Sequence, residues 1–74
     1  MEDNEGITIL RIIGKKVKTF REMKNMSQHD LSVEADIPKN QVGRIERAEI
    51  NTSILTLFKI AKALEVDINK IIGE

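Results

Sequence analysis

Residues 27 to 49, SQHDLSVEADIPKNQVGRIERAE, decide the fold. Ser27 followed three residues later by Asp30 is an approximate capping box, which satisfies free amides at a helix start and so marks where one begins. Met26 precedes it at the position from which an apolar side chain staples onto the first turn, here against Leu31. Leu31 and Ala35 then supply core contacts at i and i+4. Asp36 tolerates the left-handed geometry that ends a helix, and Ile37 is an apolar turn residue. Proline at a first helical position sacrifices no intrahelical bond, so a second helix can begin at Pro38 and run to Arg47.

This second helix carries the chemistry. At 100° per residue, Val42 and Ile45 point to one side while Asn40, Arg44 and Arg47 lie on the other, flanked by Gln41 and Gly43. Arg can donate two bonds to guanine O6 and N7, Asn or Gln can pair with adenine N6 and N7, and Lys reaches guanine or a phosphate. Lys39, Asn40, Gln41 and Arg44 are therefore the candidates for base contacts. The same residues also suit an ordinary wet helix face. Gly43 is the odd member, since an exposed glycine inside a helix costs about 1 kcal/mol relative to alanine. Either the backbone sits deeper in a groove there or the glycine answers to no functional requirement.

The flanks add three more helices. Upstream, Leu10, Ile13, Val17 and Phe20 fall on one stripe of a 3.6-residue period, predicting a helix from about Ile7 or Thr8 to Asn25. Arg11, Lys15 and Lys18 line its opposite face and read as a solvated surface row. Arg21 lies only about 40° from Val17 on the apolar stripe, where an unpaired charge is expensive, so it needs a partner or must snorkel. Downstream, Asn51, Thr52 or Ser53 caps a helix carrying Ile54, Leu57, Ile60, Ala61 and Leu64 inward. Val66 packs the next turn, Asp67 caps a short last helix, and Ile68 and Ile71 close the core. Leu55 and Phe58 point about 160° and 100° away from Leu57. With Ile72 they make a candidate dimer interface, and Ile7, Ile9 and Ile12 are further surplus apolar surface.

Two helices joined by a tight break, with a polar outer face on the second, have the layout of a helix-turn-helix over residues 27–47. With its flanks, IGKKVKTFREMKNM before and NTSILTLFKIAKALEVDINKIIG after, the segment resembles the Cro and phage-repressor-like (XRE) family of DNA-binding domains from Ile13 nearly to the C-terminus. The resemblance implies an all-α, compact five-helix bundle with a recognition helix at 38–47 entering the major groove. It also implies that Gln28, at the first position of its helix, contacts the DNA backbone, and that Arg21 pairs with Glu46 as an architectural tie. Arg47, Asn51 and Ser53 complete the expected phosphate contacts. The chain departs from the family pattern at Asp36, where glycine is usual, at Pro38, where Ser or Thr caps, and at Ala48 and Thr52, which replace a frequent glycine and proline.

Composition bounds the rest. Seventy-four residues make one domain with one small core. The chain has no cysteine and one histidine, so no disulfide framework, thiolate zinc site or cysteine nucleophile is available, and no cofactor or metal is expected. A phosphate-cradling glycine loop is missing too, and the expectation is a non-enzyme. No apolar run approaches the roughly 20 residues that span a bilayer, which makes the cytoplasm the default compartment. Twelve basic and twelve acidic residues cancel, unlike the strongly basic balance of many DNA binders. Residues 1–10 carry Glu2, Asp3 and Glu5, whereas 11–24 carry Arg11, Lys15, Lys16, Lys18, Arg21 and Lys24 against Glu22. The start, MEDNEG, reads as an acidic tail over 1–6 before a domain at 7–74. Weak non-specific affinity favours a homodimer on an inverted-repeat operator of double-stranded DNA. Three readings stay open: a transcriptional regulator, with repression expected; an antitoxin or restriction-controller regulator of the same fold; and a protein-interaction bundle without DNA binding.

Overall fold

Helix α1 runs from Asn4 to Met23 in the computed structural model, which describes residues 4–73. It starts earlier than the apolar stripe suggests: Asn4, Glu5 and Gly6 are helical, and residues 1–3 of the expected tail lie outside the described residues. Glu5 lies in the first turn, where a negative charge complements the exposed amides, and Thr8 Oγ1 donates to the Asn4 carbonyl at 2.7 Å. Gly6 weakens this turn without breaking it, so an acidic, glycine-containing stretch resembles a tail in composition while continuing a helix. Asn25, at φ 57°, ends the run in left-handed geometry.

Helix α2 spans Gln28–Ala35 and begins on a complete capping box. Ser27 Oγ accepts from the Asp30 amide and the Asp30 carboxylate accepts from the Ser27 amide, both at 2.9 Å. The Ser27 amide bond first, and the nearby Ser27 hydroxyl second, hold the Asp30 carboxyl below the usual aspartate range. Asp36 closes α2 at φ 57°, its amide reaching back to the Ser32 and Val33 carbonyls. Helix α3 spans Lys39–Glu46. Pro38 is its N-cap, at φ −60° and ψ 142°, not its first helical residue. The extended ψ carries the chain out of the turn before the helix starts, and Arg47 is likewise a C-cap outside it. Helices α4, Ile54–Leu64, and α5, Asn69–Ile72, follow. Among the described residues there are five helices and no strand.

The core draws on every helix: Ile13 and Val17, Leu31 and Ala35, Val42 and Ile45, Leu57, Ile60, Ala61 and Leu64, and Ile71 are buried. Phe20, Met26, Ile37, Val66 and Ile68 pack around that centre. Ile54 does not join it and is 62% exposed. Side chains tilt toward a helix's N-terminus, so a residue in the first turn leans away from the body of the bundle. Helix α3 rests on both α1 and α2, α2 also rests on α4, and α5 rests on α1. Lys16 Nζ donates to the Gly73 carbonyl, tying α1 to the end of α5.

The crossing of α1 and α3 depends on Gly14. A Cβ there would meet the Ile45 carbonyl oxygen at 2.5 Å and that of Glu46 at 2.7 Å. No Cβ fits at those distances from backbone atoms, so the glycine sets how closely α3 approaches α1. The hydrophobic pattern alone gives no sign of this, because Gly14 interrupts neither the stripe nor the helix.

Candidate nucleic-acid interface

Helix α3 is held by its inner side and presents the other. Val42 and Ile45 are buried, whereas Lys39, Asn40 and Arg44 are exposed and Gln41 is half-buried. The exposed row carries donors in the arrangement that base edges accept. Gly43 is not exposed as its helical-wheel position suggests. It is buried, because the side-chain ends of Gln28 and Arg47 lie over it.

Beneath this face sits a three-residue polar network. Arg21 Nε and Nη2 donate to the two Glu46 carboxylate oxygens at 2.6 and 3.0 Å, and Nη1 donates to the Met26 carbonyl at 2.7 Å. The side chains are only 10% and 3% exposed, so the forked pair satisfies charges that would otherwise be stranded in the bundle. The bond to Glu46 raises the Arg21 pKa against the opposing effect of burial. Gln28 Nε2 donates to the same Glu46 oxygen, Oε1, at 3.1 Å. One carboxylate at the end of α3 thereby fixes an arginine from α1 and a glutamine from the start of α2. The Gln28 side chain points at α3 and not freely into solvent.

Beyond α3 the remaining candidates are separated by what they already bind. Arg47 Nε and Nη2 donate to Glu49 at 2.9 and 3.2 Å, an exposed pair that raises the arginine pKa and holds the Glu49 carboxyl below the usual range. Asn51 is exposed. Ser53 caps α4: its Oγ accepts from the Thr56 amide at 3.1 Å and donates to Thr56 Oγ1 at 3.0 Å. Ala48 takes the left-handed geometry, φ 59°, that lets the chain turn out of α3. Thr52 Oγ1 is buried without a hydrogen-bond partner in the described structure, a feature to which the sequence pattern is silent. His29 is exposed beside this region. No group of three or more potential metal ligands occurs among the described residues.

A capped α2, a left-handed turn and an α3 anchored by Val42 and Ile45 are a helix-turn-helix in three dimensions. The family model HTH_3, Helix-turn-helix, matches residues 17–71. This chain belongs to that family of DNA-binding transcriptional regulators. Among relatives of this helix-turn-helix chain, the control protein C.SmaI of Serratia marcescens is 31% identical over 64 residues, covering 86% of this chain and 76% of that protein. The immunity repressor protein of Bacillus phage phi105 is 31% identical over 62 residues, covering 84% of this chain but 43% of the repressor. In three dimensions, the restriction-modification controller protein C.AhdI from Aeromonas hydrophila superposes with a TM-score of 0.82 at 27% identity, over 84% of this chain and 94% of that one. These relatives are regulators and not enzymes.

Away from α3, Leu55 and Phe58 on α4 are more than half exposed, and Ile72 on α5 is also exposed. Ile7, Ile9 and Ile12 extend the exposed apolar surface along α1. No helix among the described residues is long and apolar enough to cross a membrane.

Proposed function

We propose that this regulator works as a cytoplasmic homodimer on an inverted-repeat operator and represses transcription, with α3 in the major groove of each half-site. The observation that supports this most is the anchoring of α3: its apolar side is locked into the bundle and Lys39, Asn40, Gln41 and Arg44 are left for base edges. Gln28, Arg47, Asn51 and the helix start at Ser53 grip phosphates on either side. Leu55, Phe58 and Ile72 form the dimer contact.

Selection of genomic fragments bound by the protein tests the reading and supplies the operator. On that operator, Arg44→Ala should lose roughly 1–3 kcal/mol and relax preference at one base position, while Gln28→Ala should weaken all sequences alike. Equal, sequence-independent losses would contradict this division of labour. Absence of binding even at low salt would leave the protein-interaction bundle as the better account. A restriction-modification controller role is the second reading, favoured by the likeness to C.SmaI and C.AhdI over most of their lengths. An operator lying beside a restriction-modification gene pair would select it.

A further inference from the structure

We propose that Gly43 is a positioning residue for DNA binding: its missing side chain is the slot occupied by the ends of Gln28 and Arg47, from which Arg47 Nη1 is aimed at a backbone phosphate. The proposal rests on the DNA-binding reading above and goes beyond it in assigning a role to a residue that offers no side chain.

Glycine inside an eight-residue helix is unfavourable, and here the space it leaves is filled. A Cβ at Gly43 would meet Arg47 Nη1 at 2.9 Å and Gln28 Oε1 at 3.2 Å. Both side-chain ends are thus within contact distance of one point on the outer side of α3, where Arg47 Nη1 is the donor that a phosphate can accept from and the Gln28 carbonyl oxygen fills the other side of the slot. Their remaining bonds fix their direction. Gln28 Nε2 gives one hydrogen to Glu46 and keeps a second. Arg47 commits Nε and Nη2 to Glu49, which leaves Nη1 as the nitrogen aimed at the slot. A methyl group there would displace these two ends and leave the backbone where it is, since both atoms are the far ends of flexible side chains. Gly14 is the opposite case, facing main-chain oxygens that cannot retreat.

Gly43→Ala should therefore separate stability from binding. The variant is expected to fold with an unchanged or higher melting temperature, because alanine is the better helix former. Its affinity for the selected operator and for a scrambled duplex of the same length should fall by the same factor, roughly tenfold for one lost charge-assisted contact. The slope of log affinity against log salt should become shallower by about one. In a Gln28→Ala, Arg47→Ala background the same change should have no further effect. Wild-type affinity and slope in Gly43→Ala would overturn the proposal, as would an undiminished loss in that background. A loss confined to one operator position would assign Gly43 to groove depth instead, and a lowered melting temperature would make it a requirement of the fold. If the unaltered protein binds neither duplex at low salt, the DNA-binding reading fails first and takes this proposal with it.

Discussion

Arg21 and Ala48 show how differently single residues can be placed under strain. Arg21 sits among apolar neighbours and is stable there because Glu46 and the Met26 carbonyl occupy its donors. Removing one partner of a buried pair strands the other, so Glu46→Ala should cost about 3 kcal/mol or more in urea denaturation. The Lys24–Glu65 pair, with side chains 35% and 78% exposed, is screened by solvent, and replacing Glu65 by alanine should leave the denaturation midpoint nearly unchanged. Similar losses for both variants would mean that the Arg21 site admits water. At Ala48 the strain is in the backbone, since a non-glycine residue at φ 59° carries a steric penalty. Ala48→Gly relieves it while adding freedom to the unfolded chain, and a net gain of about 0.5–1 kcal/mol is expected. An unchanged denaturation midpoint would show that the turn relaxes the penalty by itself.

Between elements, the contact that matters most is α1 against α3, because it sets the position of the helix proposed to enter the major groove. Gly14 brings the α1 backbone against the last carbonyls of α3, and Arg21 ties the same two helices two turns farther along the same face of α1. Alanine is intrinsically better in a helix than glycine by about 1 kcal/mol. Even so, Gly14→Ala should lower stability by about 1–3 kcal/mol, since the methyl group collides with main-chain oxygens and α3 must move as a unit. Thermal unfolding measures this, and a variant as stable as the parent would show that α3 can slide without loss. Gly14 and Gly43 are predicted to respond with opposite signs, a contrast that depends only on whether backbone or side-chain ends lie opposite.

For the molecule as a whole, charge balance constrains how DNA can be held. Twelve positive and twelve negative residues give no net attraction to phosphate, so a single copy relies on a handful of local contacts. The proposed homodimer doubles those contacts and places two recognition helices about 34 Å apart, one turn of DNA. Its interface draws on the exposed side chains of Leu55 and Phe58 with Ile72. Sedimentation of the protein should show a dimer that a Leu55→Glu, Phe58→Glu double variant converts to a monomer with its helical content intact. A parent that stays monomeric at high concentration, or a double variant that dimerises normally, would move the interface elsewhere.

Local chemistry was sufficient to read the helix-turn-helix from the chain. The capping box at Ser27, the left-handed aspartate at Asp36 and the inward placement of Val42 and Ile45 each follow from neighbours a few residues away, and the structure has all three. The start of α1 and the role of Pro38 were less legible, because a glycine-containing acidic turn and a proline are each compatible with two conformations until packing selects one. Ile54 escaped the stripe because periodicity fixes direction on a helix and not whether anything lies opposite. Tertiary structure alone decided the rest. It added Gln28 to the Arg21–Glu46 pair that the family resemblance implied, and it set Gly14 against a backbone. It also covered Gly43 with two side chains from outside its own turn. The contacts of Gln28 and Gly14 depend on which atoms from distant parts of the chain meet, and a helix-wheel reading contains only the direction in which each residue points.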